Sequence, residues 1–196
     1  MTSVFTPAQQ AAFETDGYVL IRGLFDSQEI SLMRSSIEQD PDLQNSLYNR
    51  KDAQGKATMM ATWNHPGDSA YGLAARTERV VDTMEQMLGG EVYHYHSKLT
   101  AKEPLDGGAW EWHQDYGYWY HNGCLLPHMA SVMVALDKAN KENGCLQVLR
   151  GSHLARGWLG MLYIAVGSAL LLSSRVAWKA WRADVKKKAV SPVSCE

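Results

Sequence analysis

Apolar residues recur at helical spacing in three stretches before residue 89 and then alternate in short runs, and this change of period predicts an α+β fold, helices first and a sheet after. Thr6 before Pro7 is an N-cap and first-turn signal, Phe13 falls on the apolar side of the helix, and Gly17 closes it. Residues 18–21 read as a strand. Asp26 caps a second helix in which Ile30, Met33 and Ile37 keep helical spacing until Pro41. Residues 40–69 are polar and without sustained period, which predicts a long loop or insertion. Val80, Val81, Met84, Met87 and Leu88 describe a third helix, ended by Gly89 and Gly90.

The strand-rich part begins at residue 91. Alternation over residues 91–100 places His94, His96 and Lys98 on one face and Tyr93, Tyr95, Ser97 and Leu99 on the other. Further strands are expected at 110–116, 130–137 and 145–149, with the Asn143-Gly144 hairpin signal before the last. Such a succession leads into an antiparallel sandwich or barrel.

Charge divides the chain. Residues 1–149 carry 11 Lys/Arg against 19 Asp/Glu, and residues 150–196 carry 8 against 2. An acidic body without a basic face excludes phosphate-backbone recognition, so no nucleic acid is expected as a partner. The odd set Cys124, Cys145 and Cys195 has no CxxC spacing and reads as free thiols. With no basic start or apolar run at the N-terminus and no peroxisomal tripeptide in the closing SCE, the body is expected to be cytoplasmic.

His113 and Asp115 form a His-x-Asp pair. On a strand both side chains share one face while Gln114 points the other way, so imidazole and carboxylate can converge on one ion, against the alternative of an ordinary surface strand. Seven histidines and 21 acids in 196 residues give a chance expectation of about 0.75 His-x-Asp/Glu pairs, so the pair needs its context. That context is Trp110-Glu111-Trp112-His113-Gln114-Asp115-Tyr116, followed by Glu142-Asn143-Gly144-Cys145-Leu146 and Arg150-Gly151-Ser152-His153.

These motifs, with YHYHSKL at residues 93–99 and DGYVLIRGLF at residues 16–25, resemble the phytanoyl-CoA dioxygenase family and its ectoine hydroxylase branch over residues 5–153. The resemblance implies a double-stranded β-helix, or jelly-roll, related to cupins. It implies iron(II) held by His113, Asp115 and a distant second histidine, with 2-oxoglutarate as cosubstrate and a small molecule as the substrate hydroxylated. By position, Lys98 matches a basic residue that meets the cosubstrate, against the alternative of a solvated strand lysine. Trp119 aligns with an aromatic at the site mouth, or is a core or rim tryptophan, and His96 is either a substrate contact or a structural histidine. His153 is read as structural.

After His153 the family pattern ends, which divides the chain into a family domain at 1–153 and a tail at 154–196. No counterpart of the distal histidine or of the basic residue beyond it follows, so catalysis is expected to be impaired. A third ligand would have to come from His94, His96, His121, His128 or His153. Residues 157–174 are 18 uncharged residues, followed by Arg175, Lys179, Arg182 and Lys186 to Lys188. They read as an apolar helix: a replaced tail, a membrane anchor or a core helix.

Overall fold

The computed structural model describes residues 5–52, 54–102 and 112–154. Their order is α1 Pro7–Asp16, α2 Ser27–Gln39, α3 Pro41–Ser46, β1 Tyr48–Lys51, β2 Ala57–Trp63, α4 Ala70–Ala75, α5 Glu78–Leu88, β3 Ser97–Ala101, α6 Asp115–His121 and a 3-10 turn at Ser152–Leu154. The mixed helix-and-sheet class matches expectation. The apolar stretch 157–174 lies outside the described residues. Among the described residues no helix is long and apolar enough to cross a membrane.

The three anticipated helices form where their end signals stand. Thr6 and Gln9 make a reciprocal capping box at α1, and Gly17 ends that helix at φ 82° in the left-handed region. Asp26 and Glu29 make the same box at α2. α5 closes on Gly89 at φ 73°. Pro41 plays a double part: α2 stops before it, and it opens α3 at the first helical position, with the Asp40 side chain accepting from the N–H groups of Asp42 and Leu43.

Residues 40–69 are not a loop. They hold α3 and the first two strands of a three-stranded antiparallel sheet ordered β1-β2-β3. In β2, Met60 pairs with Tyr48 on one side and with Thr100 on the other, and Ala61 stands opposite Leu99. Leu43, Ala61 and Leu99 form a buried core cluster, with Ile37, Leu47, Trp63, Tyr71 and Leu136 packed around it. Lys98, opposite Thr62, is exposed while Leu99 is buried, so the anticipated division of faces holds for these two residues.

The strands expected at 18–21, 130–137 and 145–149 do not form, although these residues are described. A strand needs a hydrogen-bonded neighbour, and among the described residues none of these segments pairs with one: the sheet holds β1, β2 and β3. The 130–137 segment instead contributes Leu136 to the core and pairs Asp137 with Arg34 of α2 at 3.1 Å. The expected strand at 110–116 is also corrected: residues 112–114 form no strand and α6 starts at Asp115.

Short polar contacts fix the helices on one another. The Tyr71 hydroxyl donates to the Met33 carbonyl at 2.6 Å, and burial together with nearby Asp40 pushes its pKa up to about 12. Arg79 of α5 pairs with Glu29 of α2 and lies over the Phe25 ring, 4.7 Å from its centroid. In α4, a Cβ on Gly72 would stand 2.0 Å from the Pro66 carbonyl oxygen and 2.4 Å from that of Gly67. Both are backbone atoms and cannot step aside.

Gly72→Ala therefore sets helix propensity, a gain of up to about 1 kcal/mol, against a backbone overlap costing about 2–3 kcal/mol. The overlap should win, lowering the urea midpoint. A variant as stable as the parent would show that α4 is not seated on this turn.

Candidate metal and substrate site

Gln114 is extended, at φ -113° and ψ 122°, and Asp115 begins α6, so the two flanking side chains emerge together without a sheet. His113 Nε2 and Asp115 Oδ1 are 3.0 Å apart, with side chains 53% and 57% exposed. At that exposure an ion pair contributes on the order of 0–1 kcal/mol, so fold stability is not what the pair supplies. Two donors bound about 2.1 Å from one ion at a right angle lie about 3.0 Å apart, so nitrogen and carboxylate oxygen here suit adjacent positions on a divalent cation. Asp115, in the first turn of α6, also sits where a helix favours negative charge.

Around this pair the structure gathers the other anticipated residues unequally. Trp119 of α6 meets His96 with ring centroids 4.6 Å apart and Tyr95 edge-on at 4.9 Å, so the two anticipated substrate contacts share one wall. Tyr118 continues it, edge-on to Trp119 at 4.9 Å. Tyr95 went unread in the sequence, where its place between two histidines assigned it to the opposite face. Lys98 lies close enough to His96 to act on its charge. His94 is held apart by a 2.8 Å hydrogen bond between its Nε2 and the Ser97 hydroxyl.

The GSH motif serves the fold. His153 Nε2 lies 2.9 Å from the Glu14 carbonyl oxygen, and the Gly151 N–H donates to the Asp16 carbonyl at 2.8 Å. Arg150 Nε donates to Asp16 Oδ1 at 2.6 Å. A Cβ on Gly17 would come within 2.2 Å of His153 Nδ1, so that glycine both ends α1 and leaves room for the ring. All seven histidines are among the described residues, where no group of three His, Cys, Asp or Glu side chains is arranged to hold a metal. None of the five histidines named as possible third ligands thus completes the set.

The family model for phytanoyl-CoA dioxygenase (PhyH) matches residues 13–158. The chain belongs to this family. Among curated PhyH-type relatives, it is 38% identical to L-proline trans-4-hydroxylase of Streptomyces griseoviridis over 92 residues, 46% of this chain and 34% of that protein. It is 29% identical to ectoine dioxygenase of Stutzerimonas stutzeri over 145 residues, 72% of this chain and 48% of the relative. The chain thus spans about half the length, or less, of these relatives. The crystal structure of EctD from S. alaskensis with bound Fe superposes with a TM-score of 0.51 at 23% identity, covering 61% of this chain and 43% of that one. At that identity the likeness is one of fold, and it places the helices and sheet of this PhyH member with a cupin-like architecture.

Burial first, then Lys98 and His94, lowers the His96 pKa, against an opposing pull from Asp115. An unfolded chain then takes up this proton before the folded one does. Stability is whole above the ordinary histidine value of about 6.5 and falls as pH drops through the lower folded value. The urea midpoint should decline between pH 7 and 5.5, and the decline should be shallower in His96→Gln. Equal slopes in the two proteins would assign the effect to other groups.

Proposed function

We propose that this chain carries the metal-binding half-site of an iron(II)- and 2-oxoglutarate-dependent dioxygenase that hydroxylates a small molecule. The observation that carries it is the 3.0 Å approach of His113 Nε2 to Asp115 Oδ1, half exposed and beside an aromatic wall. When bound, iron(II) with chelated 2-oxoglutarate supplies the oxygen activation that no side chain can. Membership of the PhyH family and relatives named for hydroxylation of L-proline and dioxygenation of ectoine support that chemistry and a small-molecule substrate.

Each residue has a separate task in this reading. His113 and Asp115 hold the metal through nitrogen and oxygen. Lys98, on β3, offers its ammonium to the far carboxylate of 2-oxoglutarate. His96 and Trp119 press the substrate from one side and keep water from it, with Tyr95 backing Trp119. In this reading the described strands β1 to β3 belong to a jelly-roll. With two protein donors among the described residues, metal affinity is modest and turnover slow compared with a three-donor site.

Anaerobic titration of the full chain with iron(II) and 2-oxoglutarate, followed by the visible charge-transfer absorption of the chelate, tests the assignment. His113→Ala should weaken metal binding at least tenfold, and Lys98→Ala should raise the Kd for 2-oxoglutarate about tenfold with metal affinity retained. A folded parent chain that develops no band would instead be a non-catalytic member of its family.

A further inference from the structure

We propose that Gln114 is a positioning residue for the His113 and Asp115 pair, held by a turn that is itself locked to the end of α1; this rests on the metal-site reading above. Gln114 is the residue between the two donors, and its side-chain Nε2 donates to the Ser152 carbonyl at 3.0 Å. Because its backbone is extended, fixing its side chain also fixes the rotation at which His113 and Asp115 leave the chain on either side.

An anchor is useful only if it does not move, and the turn at residues 150–153 has independent attachments. Arg150 Nε donates to Asp16 Oδ1 at 2.6 Å, a short charge-assisted bond whose carboxylate is 15% exposed while the arginine side chain is 59% exposed. The Gly151 N–H reaches the Asp16 carbonyl at 2.8 Å, and His153 meets the Glu14 carbonyl at 2.9 Å. Ser152 lies between these attachments, so the carbonyl that receives Gln114 is fixed relative to α1.

The consequence is greatest for a weak site. Two donors separated by one residue must surrender rotational freedom to bind one ion, and a preset peptide reduces that loss. Residues that orient metal ligands without touching the metal change affinity by about 10–100-fold when removed. Gln114 is assigned such a role, with the turn as its support.

The experiment is a titration of the full chain with cobalt(II) alone, read by its visible d–d absorption, beside urea unfolding of the same proteins. Gln114→Met keeps the length but removes the donor, and should weaken cobalt binding about tenfold with little change in the unfolding midpoint. Arg150→Met loosens the same turn from its other end and should act in the same direction, with Arg150→Lys restoring most of the affinity. This variant also carries the test if Gln114→Met does not fold. Loss of binding in His113→Ala with unchanged affinity in both Gln114→Met and Arg150→Met would overturn the positioning role while leaving the metal site in place. Unchanged cobalt binding in His113→Ala would remove the metal reading, and this inference with it.

Discussion

Strand β2 has partners along both edges, and one of its residues, Ala61, is completely buried. A small side chain at that point lets Leu43 of α3 and Leu99 of β3 meet over the sheet. Covering Leu99 removes about 25 cal/mol of unfavourable hydration for each Å² of apolar surface taken from water. Leu99 in turn orients β3, so that Lys98 is carried to the exposed face and the chain preceding the strand runs past α6. The aromatic contacts of Tyr95 and His96 with Trp119 thus follow from a core that contains none of them.

The candidate site lies where two separately stabilised parts meet. One is the segment before β3, whose rings pack on α6. The other is the turn at 150–153, attached to the last residues of α1 across more than 130 positions of sequence. The donor pair stands between them and is half exposed, so little of the folding free energy depends on it. That separation lets the proposed role of His113 and Asp115 in metal binding be tested by substitution without unfolding the protein.

Helix ends were readable because their chemistry is local. Thr6 with Gln9, and Asp26 with Glu29, satisfy backbone groups within one turn, and Gly17 and Gly89 take left-handed positions that other residues resist. The sheet was harder. β1 reads Tyr-Asn-Arg-Lys and all four residues are exposed, so it has no alternation to detect. β2 contains two alanines and two methionines beside Thr58, Thr62 and Trp63, so its composition is divided, and its place in the centre comes from its two neighbours. The opposite error arose at 130–137, where an apolar run suited to a strand does not pair with the sheet and packs Leu136 against the core instead.

By itself, the sequence determined where three helices end and where two of them begin, the mixed class of the fold, its family, and the His-x-Asp pair with its aromatic surroundings. These depend on residues within a few positions of one another, or on motifs whose spacing survives without knowledge of the fold. Tertiary structure alone decided that His153 joins α1 rather than the donor pair, that Tyr95 joins His96 against Trp119, and that Gln114 is tied to Ser152. Each of those outcomes needs a partner brought in from far along the chain, and which distant groups meet is set by the packing of the whole core rather than by the residues on either side.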